Sequence, residues 1–138
     1  MTPVLLDSSV LVAWLDRRDR WHRKCAAIRL NLKPPLMTCE AVIAESCYLL
    51  QGIDGAAEDV LANVANGTLQ IPFQLSASGG EVQRILHKYR DTPADFADAC
   101  LIAMAEELDT GDILTLDSHF AHYRWSRNRA FHLLIPLE

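Results

Sequence analysis

Short apolar runs alternate with longer stretches of helical spacing along the whole chain. Val4-Leu5-Leu6 and Ile113–Leu116 are apolar runs that each end at an aspartate, which predicts buried strands. The segment 93–108 repeats apolar residues at intervals of three and four, which predicts a helix. Further strands are predicted at 36–37, 68–71 and 131–135, and further helices at 8–15, 19–30, 39–50, 55–66 and from Ser76 or Ser78 to 89, with a helical turn at 119–123.

Alternation of short apolar strands with helices is typical of an α/β fold, because the strands of a parallel sheet are covered on both faces. We expect a three-layer α/β/α sandwich with a mainly parallel central sheet. A length of 138 residues suits one domain, so residues 1–138 are expected to form a single domain. Functional groups of such sheets gather beyond the carboxyl ends of the strands, which is where Asp7 and Asp117 lie.

The sequence also predicts where some of the helices begin and end. Thr38 precedes the helix predicted at 39–50 and is expected to be its N-cap, with Gly52 closing the helix. Gly67 is expected in the left-handed conformation after the helix predicted at 55–66.

Two carboxylates, Glu45 and Asp98, lie on helix faces that are otherwise apolar. The residues three and four positions from Glu45 in both directions are apolar, as are those that follow Asp98 at these intervals. An ionised carboxylate at such a position is costly unless a cation or hydrogen-bond partners compensate it. Asp95 projects in nearly the same direction as Asp98, but its place near the helix start favours a capping role over a ligand role.

Asp7 and Asp117 are ambiguous when each is taken alone, because a strand-end aspartate often only accepts backbone hydrogen bonds in a turn. Taken together, the four acids Asp7, Glu45, Asp98 and Asp117 are stronger evidence for a functional site than any one of them. Clustered carboxylates raise each other's pKa unless a cation neutralises them. Hard oxygen ligands without histidine or cysteine select Mg²⁺ or Mn²⁺, and such ions suit the hydrolysis of phosphodiesters.

Four segments carry a family resemblance: VLLDSSVLVAWL at 4–15, AVIAESCYLL at 41–50, DFADACLIAMAEEL at 95–108 and ILTLDSHF at 113–120. In this order, they resemble PIN-domain ribonucleases, and most of all the VapC-type toxins of toxin–antitoxin pairs.

The resemblance implies that Asp7, Glu45, Asp98 and Asp117 form the catalytic, metal-binding site, with Asp7 and Asp98 as the direct ligands of one or two metal ions. Ser9 and Thr115 resemble the small hydroxyl residues that border this site, and Asp95 beside Asp98 departs from the usual pattern. Mg²⁺ is the expected cofactor, with Mn²⁺ as a substitute. The resemblance further implies an RNA substrate, a homodimer, and an antitoxin whose C-terminal segment covers the site.

The net charge of −5 gives no overall basic surface for RNA, so local basic patches would have to contact the phosphates. Their candidate members are Arg17, Arg18, Arg20, Arg124, Arg127 and Arg129. The chain shows neither a membrane span nor a signal peptide, since Asp7 interrupts the first apolar run. We therefore expect a cytoplasmic protein.

The clustered acids predict a metal-dependent phosphodiesterase, and the resemblance implies a Mg²⁺-dependent endoribonuclease, the toxin of a toxin–antitoxin pair, that hydrolyses RNA with a metal-activated water. An alternative is a non-catalytic PIN-like module whose acidic pocket docks a basic peptide of a partner. Phosphoryl transfer through an aspartyl intermediate, as in haloacid-dehalogenase-like enzymes, is disfavoured because position 9, where a second aspartate is needed, is serine. His22, His119 and His122 are not required by the predicted mechanism.

Overall fold

Short strands and longer helices alternate through residues 2–137, the part of the chain that this computed structural model describes. The strands are β1 (Leu5–Leu6), β2 (Leu36–Met37), β3 (Leu69–Gln70), β4 (Asp112–Leu114), β5 (Arg124–Trp125), β6 (Arg129–Ala130) and β7 (His132–Leu133). The helices are α1 (Ser8–Leu15), α2 (His22–Arg29), α3 (Glu40–Leu49), α4 (Ala56–Ala65), α5 (Leu75–Lys88) and α6 (Phe96–Leu108), and a 3₁₀ turn spans Ser118–Ala121.

Five strands form one parallel sheet in the order β3-β2-β1-β4-β7. β1 lies at its centre, where Leu5 is in register with Met37 on one side and with Ile113 on the other. The amide of Asp7 continues the pairing by donating to the carbonyl of Leu114 at 3.0 Å. The carboxyl ends of β1 and β4 therefore meet at one edge of the sheet.

Helices cover both faces of the sheet, because successive side chains of each strand point to opposite faces. Leu5 and Ile113 pack into a core with α6 and α5, whereas Leu6 and Leu114 pack into a second core with α1 and α4. Each of these four side chains is fully buried. The α/β/α sandwich with a mainly parallel sheet, expected from the sequence, is thus confirmed.

Two predicted helix starts are wrong. Cys39 is the N-cap of α3, because the hydroxyl of Thr38 instead donates to the carbonyl of Leu6 at 2.9 Å and ties β2 to β1. Helix α5 begins at Leu75 with Gln74 as its N-cap, so the expected serine caps lie inside the helix. Gly67 does take the left-handed conformation after α4, with φ of 85°.

The β5–β6 hairpin is an element that the sequence pattern did not predict. Its two-residue strands pair antiparallel, and Ser126 and Asn128 in the turn have positive φ angles. Within residues 2–137, none of the helices has the length and apolar character needed to cross a membrane.

Candidate acidic active site

Asp7 lies where β1 ends and α1 begins, and it is 5% exposed. Its Oδ1 accepts a hydrogen bond from the amide of Ser8 at 2.8 Å, which caps α1. Its Oδ2 accepts a hydrogen bond from the hydroxyl of Thr115 at 2.7 Å. Two donors thus fix this carboxylate at the helix N-terminus, where a negative charge is favoured.

The small hydroxyl residues Ser9 and Thr115 both lie next to the carboxylate of Asp7. Thr115 is fully buried just after β4, and its Oγ1 also accepts a hydrogen bond from the amide of Asp117 at 3.0 Å. The hydroxyl of Ser9 lies 3.4 Å from Oδ2 of Asp7 and accepts a hydrogen bond from the amide of Leu116 at 3.0 Å. Thr115 therefore links the segments that carry Asp7 and Asp117.

Asp117 caps the 3₁₀ turn after β4 and is half-buried. Its Oδ1 accepts a hydrogen bond from the amide of His119 at 2.9 Å and lies 2.7 Å from Nδ1 of the same residue. The imidazole of His119 therefore orients this carboxylate, a contact that spans only two residues.

Glu45 reaches the site from the middle of α3. Its side chain is half-buried, and its Oε1 accepts a short hydrogen bond from the hydroxyl of Ser8. Ser8 begins α1, so this bond ties the first turn of α1 to α3 across a separation of 37 residues.

Asp98 lies in the first turn of α6 and is 7% exposed. Its amide donates to Oδ1 of Asp95 at 2.9 Å, and its Oδ2 accepts from the amide of Asp95 at 3.2 Å, which forms a reciprocal capping box. The capping role predicted for Asp95 is thereby confirmed. The hydroxyl of Tyr123 donates a further hydrogen bond to Oδ2 of Asp98 at 3.3 Å.

The carboxylates lie close enough to change one another's protonation. Burial raises the pKa of Asp7 to about 6; the hydrogen bonds from Thr115 and Ser8 oppose this rise, whereas the charges of Glu45 and Asp117 add to it. Burial, with smaller contributions from the nearby charges of Asp95, Asp7 and Asp117, likewise raises the pKa of Asp98 to about 7, against the opposing effect of the hydrogen bond from the amide of Asp95. The site therefore concentrates negative charge that water screens poorly.

The donor set suits a hard divalent cation, because it consists of carboxylate and hydroxyl oxygens and its charges are uncompensated. No group of three histidine, cysteine, aspartate or glutamate side chains within residues 2–137 has the spacing to hold a metal ion as the side chains stand. Binding of one ion by several of them would need rotamer changes or bridging waters. The assignment of Asp7, Glu45, Asp98 and Asp117 as ligands stays a prediction.

The arginines predicted to contact RNA fall into two separate groups. Arg17, Arg18 and Arg20 lie in the connection between α1 and α2. Arg17 and Arg18 line a surface cavity with residues 52–54, and none of the four candidate acids lines that cavity. Arg124, Arg127 and Arg129 belong to the β5–β6 hairpin.

Among the hairpin arginines, Arg124 directly follows Tyr123, whose hydroxyl contacts Asp98. Arg124 therefore lies next to the site. The guanidinium of Arg124 donates to the carbonyls of Ala121 and Tyr123 at 3.0 and 2.9 Å. Arg129 lies 3.3 Å from a carboxylate oxygen of Asp109.

Two residues that contact the candidate acids, Ser8 and Tyr123, were missed in the sequence. Ser8 directly follows Asp7 in the quoted motif, and this position could have identified it as a residue next to the site. Tyr123 contacts Asp98 across 25 residues, and no local pattern reports such a contact.

Comparison with known proteins agrees with this fold. The PIN domain family matches residues 4–126. Ribonuclease VapC26 of Mycobacterium tuberculosis is 30% identical over 125 residues, which cover 88% of this chain and 92% of that protein. The chain therefore belongs to the PIN-domain family, among its VapC-type ribonucleases.

A solved structure supports the fold independently. The crystal structure of Mycobacterium tuberculosis VapC20, described as a toxin that cleaves the sarcin–ricin loop, matches with a TM-score of 0.78. The match has 18% sequence identity and covers 86% of this chain and 93% of that one. At this identity the likeness concerns the fold.

Proposed function

We propose that this chain is a Mg²⁺-dependent endoribonuclease and the toxin of a toxin–antitoxin pair. The observation that carries the proposal is the convergence of acids at one sheet edge, where burial and neighbouring charges raise the pKa of Asp7 and Asp98. Membership of the VapC-type ribonucleases supports RNA as the substrate. The same membership supports the enzyme over the non-catalytic docking module.

Asp7 and Asp98 would hold the cation, and Glu45 and Asp117 would complete the site directly or through water. A bound divalent cation, Mg²⁺ or Mn²⁺ in its place, lowers the pKa of water and neutralises charge on the phosphodiester. Glu45, held by Ser8, would orient the attacking water and accept its proton. Thr115 would keep Asp7 in place through its short hydrogen bond.

Among the arginine groups, the hairpin group is the better candidate to contact RNA. Arg124 adjoins Tyr123, whose hydroxyl contacts Asp98, so a phosphate bound there would lie near the acids. Arg17, Arg18 and Arg20 would contact the substrate only if the RNA extended across α1. Substituting each group by alanine and measuring RNA affinity at two salt concentrations separates these two proposals.

The test of the nuclease is cleavage of total cellular RNA with Mg²⁺, with EDTA, and by two variants, Asp7→Asn and Asp98→Asn. We expect each variant to lose at least about 100-fold in rate, as removal of groups that stabilise a charged transition state commonly does. Asp59→Asn is the matched control, because Asp59 is an exposed aspartate of α4. Undiminished cleavage in EDTA or in both site variants would refute the proposal.

Absence of Mg²⁺ or Mn²⁺ binding at millimolar concentration, measured by calorimetry, would leave the docking module as the better account. The homodimer and the antitoxin partner are proposals of the same kind. Membership of the VapC-type ribonucleases supports the antitoxin partner. Light scattering of the purified chain tests the dimer, and the cytoplasmic location stays a prediction.

A further inference from the structure

The hydroxyl of Tyr123 is buried against Asp98. Tyr123 lies between the 3₁₀ turn and β5 and is 1% exposed. Its ring packs edge-on against the rings of Tyr89 and Phe120, with centroids 5.0 Å apart in each pair. A buried tyrosine hydroxyl needs a polar partner, and here that partner is Oδ2 of Asp98 at 3.3 Å. Packing on the ring therefore fixes the direction in which the hydroxyl points.

The two carboxylate oxygens of Asp98 have different surroundings. Oδ2 accepts hydrogen bonds from the hydroxyl of Tyr123 and, at 3.2 Å, from the amide of Asp95. Within residues 2–137, no donor contacts Oδ1, and no fully buried polar side-chain atom lacks a partner, so Oδ1 faces solvent. One oxygen is therefore held by the protein, and the other is available to a ligand.

The turn that Asp117 caps also places Tyr123. The amide of Phe120 donates to the carbonyl of Asp117 at 3.2 Å, and the amide of Tyr123 donates to the carbonyl of His119 at 3.1 Å. Asp117 thus precedes the turn, and Tyr123 follows it and contacts the acid on α6. The hydroxyl of Tyr123 is therefore a direct link between the segment of Asp117 and the carboxylate of Asp98.

We propose that Tyr123 is a positioning residue of the acidic site, whose hydroxyl holds Oδ2 of Asp98 so that Oδ1 is the oxygen presented to a divalent cation. This inference rests on the proposed function, because it concerns how the acids bind that cation. Donors behind a ligating carboxylate fix its orientation, and their loss commonly lowers metal affinity by about 10–100-fold. Tyr123→Phe keeps the ring and the amide of Asp95, so we expect the lower end of this range, about tenfold.

Tyr89→Phe is the matched control. Tyr89 belongs to the same group of packed rings, but its hydroxyl accepts a hydrogen bond from the amide of Arg124 at 2.8 Å. Its hydroxyl contacts none of the candidate acids in the described part of the chain. Tyr89→Phe removes the acceptor of a backbone amide and should therefore cost at least as much stability as Tyr123→Phe. A loss of metal affinity that only Tyr123→Phe shows would thus not be an effect of weakened packing.

The experiment titrates wild type, Tyr123→Phe and Tyr89→Phe with Mg²⁺ and with Mn²⁺ by calorimetry at one fixed alkaline pH. Thermal unfolding of the three proteins in EDTA measures their stability. We expect Tyr123→Phe to bind both cations about tenfold more weakly than wild type, and Tyr89→Phe to bind them as wild type does despite an equal or larger loss of stability. In RNA cleavage, Tyr123→Phe should need more Mg²⁺ for its full rate, with an unchanged KM for RNA at saturating Mg²⁺.

The calorimetric outcomes separate this inference from the proposed function. Equal affinities of wild type and Tyr123→Phe would overturn the role of Tyr123 and leave the nuclease proposal intact. An equal loss of affinity in Tyr123→Phe and Tyr89→Phe would also overturn it, because packing of the rings would then be the cause. A wild type that binds neither cation would overturn both proposals.

Discussion

Replacing Asp7 with asparagine should stabilise the metal-free protein at alkaline pH. Asp7 is 5% exposed, and burial raises its pKa from 3.8 to about 6. The folded state therefore favours the protonated carboxyl over the ionised one. This favourable contribution is fully present below about pH 4 and is lost as the pH rises to about 6.

The pKa difference of roughly two units corresponds to about 3 kcal/mol of unfolding free energy above pH 6. Asparagine removes the charge but keeps a carbonyl oxygen for the amide of Ser8. Its amide group faces the hydroxyl of Thr115, which must reorient, and this offsets part of the gain. We therefore expect a net stabilisation of about 1–3 kcal/mol at about pH 8, and much less at about pH 4.

Urea denaturation in EDTA at these two pH values measures the difference between Asp7→Asn and wild type. The control Asp59→Asn should show no such dependence on pH, because its side chain is exposed. Added Mg²⁺ should stabilise the wild type and have little effect on Asp7→Asn. If Asp7→Asn were less stable than wild type by the same amount at both pH values, the buried charge would not be the destabilising feature.

The remaining predictions concern contacts around the site. Thr115→Val should destabilise by about 1–3 kcal/mol in urea denaturation, because it removes the buried hydrogen bond to Oδ2 of Asp7 and leaves the amide of Asp117 without its acceptor. Mg²⁺ affinity measured by calorimetry should rise between about pH 6 and pH 8, since Asp7 and Asp98 must lose their protons to bind it; constant affinity would contradict this. Gly111→Ala should lower the thermal unfolding midpoint, at a cost of about 1–3 kcal/mol, because the new methyl group would overlap the Trp125 ring; an unchanged midpoint would show that the ring can move aside.

Some features of the site follow from neighbouring residues alone. The capping role of Asp95 depends on a residue three positions away, and helix geometry dictates that distance. The strand-end positions of Asp7 and Asp117 follow from the apolar runs that precede them. The helical spacing of apolar residues likewise predicted the apolar surroundings of Glu45 and Asp98 on their own helices.

Predictions failed where a competing long-range contact decided the outcome. Thr38 has the chemistry of an N-cap, but its hydroxyl bonds to Leu6 on the neighbouring strand instead. The strands of the β5–β6 hairpin, Arg124–Trp125 and Arg129–Ala130, contain no apolar run of the kind that predicted the other strands.

The sequence by itself determined the α/β class and the order of the helices and of the five parallel strands, because these depend on periodicity and on contacts within a few residues. Together with the family resemblance, it also pointed to the four acids worth testing. Only the tertiary structure decided how the acids are held. Ser8 holds Glu45 and Tyr123 holds Asp98 across separations of 37 and 25 residues. The raised pKa of Asp7 likewise depends on burial by distant segments, a property of packing that no local pattern encodes.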